Sequence, residues 1–179
     1  MPSNIIKNKT SPSVDFKSFS KSLLLLMKPR VMSLVIFTCA VGYLTSNSNI
    51  DTLNAIIGIF LVALGAGASG CLNMWYESDI DALMTRTCLR PIPAGKIKKN
   101  HALIYGIFLT IFSVISLNYF ANTLSAFLLL STILFYLFVY TIWLKRKTPQ
   151  NIVIGGVAGA LPPVIGWTIA TNSISLEPI

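Results

Sequence analysis

An all-α, polytopic bundle of about five membrane-spanning helices is the fold class this sequence predicts, and three observations predict it. Of 179 residues, 54% are apolar and 11% are charged, where a soluble domain carries roughly 25% charged residues. The charges are gathered into islands, leaving uncharged stretches at 31–50, 52–76, 102–144 and 148–176. All fourteen Lys and Arg residues fall in three segments that a five-span chain places on one face of the membrane. A soluble core would lack a polar shell with this composition. A β-barrel would need short segments of alternating polarity, and the sequence has none.

Taken in order, residues 1–22 read as a cytoplasmic arm and residues 23–179 as a transmembrane domain. The arm is rich in Lys and Ser, with Asp15 its one acid. It lacks the arginines that transit peptides favour. The Leu23–Leu26 run is too short to span and meets Lys28-Pro29-Arg30, so residues 15–27 are expected to form an interfacial amphipathic helix. A helix needs about 20 apolar residues to cross hydrocarbon. The stretches 31–50 and 52–76 therefore supply one span each. The 43 residues of 102–144 supply two, folded back near Asn118-Tyr119-Phe120-Ala121-Asn122. The fifth span lies in 148–176, where Pro162-Pro163 is expected to break or kink it.

The basic residues sit in the arm and entry segment (Lys7, Lys9, Lys17, Lys21, Lys28, Arg30), in a loop at about 77–100 (Arg86, Arg90, Lys96, Lys98, Lys99), and in Lys145-Arg146-Lys147. The other face receives Asp51 and Glu177. The positive-inside rule makes the basic face cytoplasmic, or matrix in a mitochondrion. Topology and anionic headgroups account for the net charge of +8, so no nucleic-acid partner is expected, whereas membrane lipid is. Cys39, Cys71 and Cys88 have no metal-ligand spacing. The small-residue runs at 65–70 and 155–159 let helices approach closely. His101 reads as an interfacial residue, and Trp75, Trp143 and Trp167 as anchors near span ends.

Chemistry is concentrated where the second span ends. Asn73, Glu77 and Asp81 are spaced by four, so on a helix all three point one way. An amide and two carboxylates near the membrane surface suit Mg²⁺, which takes oxygen ligands and bridges carboxylates to phosphates. Asp79 falls on a different face. Arg86 and Arg90 follow, then Pro91-Ile92-Pro93-Ala94-Gly95-Lys96, and guanidinium groups bind phosphate oxygens bidentately. On the residues alone, a metal site and an ordinary solvated loop both stay open.

Asn73-x-x-x-Glu77-x-x-x-Asp81 resembles the first acidic motif of the UbiA superfamily of intramembrane prenyltransferases. The longer string from Asn73 through Arg86 and Arg90 to Gly95 is similar to the branch of that superfamily that farnesylates haem. Lys28-Pro29-Arg30-Val31-Met32-Ser33 resembles its entry segment, and Thr148–Gly156 with Ala160–Trp167 its fifth span. The likeness runs from about residue 23 onward. It implies Mg²⁺ as cofactor and farnesyl diphosphate and haem b as substrates, with a farnesyl group passing to a haem vinyl group. Asn73, Glu77 and Asp81 would be the catalytic, metal-diphosphate residues. Lys28, Arg30, Arg86 and Arg90 would contact the diphosphate.

Relatives carry a second acidic motif in a later loop and a nine-helix bundle, neither of which these 179 residues contain. The expectation is therefore an incomplete bundle, inactive alone, with a missing C-terminal half or haem-handling membrane proteins as partners. A non-catalytic membrane remnant or scaffold is the alternative of a different class. A prenyltransferase for a quinone precursor is the alternative within the enzymes. The short, arginine-poor arm favours a bacterial inner membrane over a mitochondrial one, with the N-terminus cytoplasmic and the C-terminus outside.

Overall fold

The computed structural model describes residues 16–46, 52–148 and 150–175, with side chains from residue 19 onward. Arm residues 1–15 and the opposite-face acids Asp51 and Glu177 lie outside the described residues. Every described element is helical: α1 Phe16–Leu26, α2 Pro29–Thr45, α3 Thr52–Tyr76, α4 Ser78–Leu83, α5 Lys99–Phe120, α6 Thr123–Leu134 and α7 Asn151–Thr171. From α6 the chain continues without a break into a π-helical segment, Phe135–Leu144.

The junctions follow from particular residues. Pro29 has no N–H and its ring would clash with a preceding helical carbonyl, so α1 cannot run on, yet Pro suits the first turn of α2. Lys28 between them adopts a left-handed conformation (φ 54°), and the two helices meet at 51°. Leu26 and Ser22 of α1 are buried while Leu24 and Leu25 are exposed, the two-sided helix expected at the interface. The turn expected at 118–122 falls between α5 and α6. There the Asn122 side chain accepts the Ser125 N–H at 2.8 Å and caps α6. Its amide nitrogen also donates to the Thr168 carbonyl at 2.7 Å, pinning the hairpin to α7.

Four helices (α3, α5, α6 with its π segment, and α7) are long and apolar enough to cross a membrane, and the bent α1–α2 pair brings the number to five. The chain is an integral membrane protein. α3 lies at the centre, with 67% of its apolar window buried against 22% for α5. Cys39, Val62, Leu129, Ile133 and Ile165 form the main core cluster.

Between helices in lipid, close packing replaces the hydrophobic drive. A Cβ on Gly42 would meet the Pro163 carbonyl, and one on Gly166 the Cys39 carbonyl, so α2 and α7 touch backbone to backbone.

Two expectations are corrected. The expected break at Pro162-Pro163 does not occur, since α7 is helical from Asn151 to Thr171: the backbone contact of Pro163 with Gly42 of α2 holds the helix together there. Trp167 is buried at 8% exposure rather than anchored at the surface, because α7 turns that face into the bundle. Trp143, 56% exposed, fits the anchoring role.

Candidate active site

The last turn of α3 carries Asn73, the chain turns at Glu77, and α4 presents Asp81. The i+4 hydrogen bonding persists through the corner: the Glu77 N–H donates to the Asn73 carbonyl at 3.0 Å and the Asp81 N–H to the Glu77 carbonyl at 2.8 Å. The three side chains therefore stay on one face, and all are buried, at 1%, 4% and 4% exposure.

Buried carboxylates need partners, and each finds a different cation. The Lys145 ammonium, at the end of the π segment, donates to Glu77 Oε2 at 2.6 Å. The Arg90 guanidinium donates to both Asp81 oxygens at 2.7 and 2.8 Å. Lys28 donates to Asn73 Oδ1 at 2.6 Å, while Asn73 Nδ2 donates to the buried Thr141 hydroxyl at 3.2 Å. These two bonds fix which way the amide points. The left-handed backbone at Lys28, uncommon for a residue with a Cβ, is tethered by the same bond.

Lys28 sits in the link between α1 and α2. Burial, then the neighbouring Arg90 and Lys145 charges, lower its ammonium from 10.5 to about 8. Asp79 points away to the surface, where Arg146 donates to both its oxygens at 3.1 Å. Desolvation raises that carboxyl, but the Ile80 amide and Arg146 outweigh it and hold it below its usual value.

Behind this cluster lies a cavity of about 240 Å³. Lys28, Gly70 and Tyr136 line the end nearest the acidic corner, and Val62, Leu129 and Ile165 the far end. From Gly70 to Val62 is eight residues of α3, about 12 Å at 1.5 Å per residue. The small run at 65–70 serves packing and space together: Gly65 abuts Leu129 and Gly67 abuts Met27, while Ala66 and Gly70 border the cavity.

Of the residues singled out in the sequence, Asn73, Glu77, Asp81, Lys28 and Arg90 come together. Arg30 and Arg86 are exposed and form no hydrogen bond or ion pair with the cluster. Lys145 and Thr141 are the residues sequence reasoning missed. The available signal was a basic residue at a span end on the same face as the acidic loop.

The oxygen donors suit a hard cation. Among the described residues no three His, Cys, Asp or Glu side chains converge to hold a metal unaided. A Mg²⁺ here would take its remaining ligands from water and phosphate, as that ion commonly does.

Residues 34–179 match the UbiA prenyltransferase family. A protoheme IX farnesyltransferase from Pelagibacter ubique is 72% identical over 174 residues, covering 97% of this chain and 57% of the relative. Protoheme IX farnesyltransferase 2 from Mesorhizobium japonicum is 59% identical over 154 residues, 86% of this chain and 49% of the relative. The chain thus spans about half the length of these relatives. Among solved structures, a UbiA homolog from Archaeoglobus fulgidus bound to GPP and Mg²⁺ superposes with a TM-score of 0.68 at 20% identity. That match covers 87% of this chain and 56% of the homolog. With the acidic corner, its cations and the fold in agreement, the chain belongs to the UbiA prenyltransferase family.

Proposed function

We propose that this chain carries the prenyl-diphosphate site of an enzyme that transfers a farnesyl group from farnesyl diphosphate to a vinyl group of haem b. One observation carries the reading: two buried carboxylates and an oriented amide are interleaved with three cations at one end of an apolar cavity. The cluster of Lys28, Arg90, Lys145, Glu77 and Asp81 has one net positive charge. A Mg²⁺ raises that to three, which balances the trianion of a prenyl diphosphate. The names of the relatives support haem as the acceptor, and the homolog crystallised with GPP and Mg²⁺ supports the donor class.

Asn73, Glu77 and Asp81 would hold the Mg²⁺. When bound, the ion supplies neutralisation of charge gathering on the departing diphosphate. Lys145, Arg90 and Lys28 would exchange their present partners for phosphate oxygens, adding donors where negative charge develops. The cavity between α2, α3, α6 and α7 would take the prenyl chain and exclude water, so that the allylic carbocation survives until the acceptor's π electrons reach it. The C–O bond breaks with its electron pair leaving on the diphosphate. The new C–C bond forms from the vinyl group, and water then adds to the resulting cation with loss of a proton.

The basic ends of these helices would face the cytoplasm of a bacterial inner membrane, in keeping with the positive-inside rule. The test uses a bacterium lacking its own haem-farnesylating activity, with mass spectrometry of the haem pool and isotopic farnesyl diphosphate binding to the purified chain. Farnesylated hydroxyethyl haem together with Mg²⁺-dependent binding supports the reading. Binding without farnesylated haem, when the C-terminal half of a protoheme IX farnesyltransferase is co-expressed with this chain, would sink the acceptor assignment, and no Mg²⁺-dependent binding would sink the site.

A further inference from the structure

A second recess, a groove of about 280 Å³, lies between α1 and α5, outside the acidic corner. It is lined by Phe19, Leu23, His101, Ile104, Tyr105 and Phe108. Four of these stand on one face of α5 at helical spacing, so the groove runs about 10 Å from His101 to Phe108, inward from the membrane surface. Ile104 and Phe108 are 66% and 60% exposed, as side chains facing lipid would be. His101 stands at the polar end, beside exposed Lys98 and Lys99.

Charge complementarity names the occupant. Among the described residues the carboxylates of Glu77, Asp79 and Asp81 are taken by Lys145, Arg146 and Arg90. Among the described residues Lys98 and Lys99 have no acidic partner, and the Lys99 ammonium rests 5.8 Å from the Trp75 ring centroid. An apolar groove on the outer face of α5, with ammonium groups that have no acidic partner among the described residues at its polar end, has the chemistry of an anionic phospholipid site. We propose that this groove binds one acyl chain of an anionic phospholipid, with Lys98 and His101 around its phosphate and Lys99, over Trp75, adding to the positive charge at that end. Bound there, the lipid fastens the interfacial α1 to α5. Since α1 leads directly into Lys28, it also steadies the link beside the acidic corner.

Trp75 packs in the same cluster as Phe19, Leu23 and Tyr105, which makes it a native reporter. With W143F and W167F in place it is the sole tryptophan. In phosphatidylcholine nanodiscs its fluorescence should be quenched at least about twofold more by brominated phosphatidylglycerol than by brominated phosphatidylcholine at equal mole fraction. Lys98→Gln with Lys99→Gln should bring the two to equality. Lys96→Gln with Lys147→Gln removes the same charge from the same face and should leave the excess intact. Phosphatidylglycerol retained per chain, read by native mass spectrometry on the chain with all three tryptophans, should follow the same order. No excess in the parent, or equal loss with both charge pairs, would mean only diffuse surface attraction and would overturn the site.

Discussion

The Lys145 ammonium lies 2.6 Å from Glu77 Oε2, joining residues 68 positions apart at the basic end of the bundle. The π segment brings them together. Its signature is the backbone N–H of Lys145 donating to the carbonyl of Tyr140 five residues earlier, at 3.0 Å, and such wide turns recur at functional sites. Thr141 then receives the Asn73 amide and Lys145 reaches Glu77, so one irregular stretch of α6 serves two members of the acidic triad.

Removing Lys145 alone strands the buried Glu77 carboxylate. Lys145→Met should destabilise the detergent-solubilised chain by about 2 kcal/mol, reduced from the fully buried case because the lysine is one-third exposed. Adding Glu77→Gln should recover most of that loss. Additive single effects in the double-variant cycle would show that the pair is not coupled.

Carboxylate substitutions should separate by position. Glu77→Gln and Asp81→Asn are each expected to weaken Mg²⁺-dependent farnesyl diphosphate binding by more than about tenfold. Asp79→Asn, at the surface against Arg146, should change it by less than about twofold. Calorimetric titration with and without EDTA checks the order, and an equal loss in all three would point to a general charge effect.

Lys28 predicts a pH dependence. Its ammonium is lowered to about 8 by burial first and then by Arg90 and Lys145, so charging it opposes folding. The Lys28 contribution to stability is therefore most favourable above pH 10.5, falls as the pH drops between 10.5 and 8, and is level below that. A bound diphosphate favours the charged form, so affinity should fall as pH rises from 7 to 9. Lys28→Arg stays charged throughout and should bind with a flat profile. A parental profile that is already flat would remove Lys28 from the diphosphate site.

The far end of the cavity should set donor length. Leu129, 2% exposed, packs against Gly65 there. Leu129→Ala should cost about 2–4 kcal/mol of stability. It should also shift relative binding toward geranylgeranyl diphosphate by at least about tenfold. Competition between labelled farnesyl and geranylgeranyl diphosphates measures the shift.

Gly42 and Gly156 are expected to behave as opposites. A methyl on Gly42 would run into the Pro163 carbonyl, whereas one on Gly156 meets nothing within 4 Å. Gly42→Ala should destabilise by more than about 2 kcal/mol. Gly156→Ala should stay within about 0.5 kcal/mol. Thermal unfolding of both variants in the same detergent decides this.

What was legible in the sequence was local. The spacing of Asn73, Glu77 and Asp81 survives the α3–α4 corner because i+4 bonding survives it, and the Asn118–Asn122 break carries its own cap. Lengths and charge islands supplied the spans. What was illegible depends on partners distant in the chain. Pro162-Pro163 read as a breaker because nothing in the sequence shows Gly42 seated against it. Arg86 read like Arg90 because they are four apart, but the segment after α4 is a series of turns that leaves Arg86 outside. Lys145 needed the π register, which no apolar periodicity reports.

The backbone contact between α2 and α7 also has a consequence in time. About 120 residues separate Gly42 from Pro163, so at 5–20 residues per second the ribosome delivers the second surface roughly 6–24 s after the first. During that interval α2 waits in the bilayer with the flat strip around Gly42 covered by nothing but lipid tails. An insertase or chaperone that shelters this strip would govern the yield of correctly assembled chain. Slowing translation between α3 and α6 should then lower that yield without altering any finished contact.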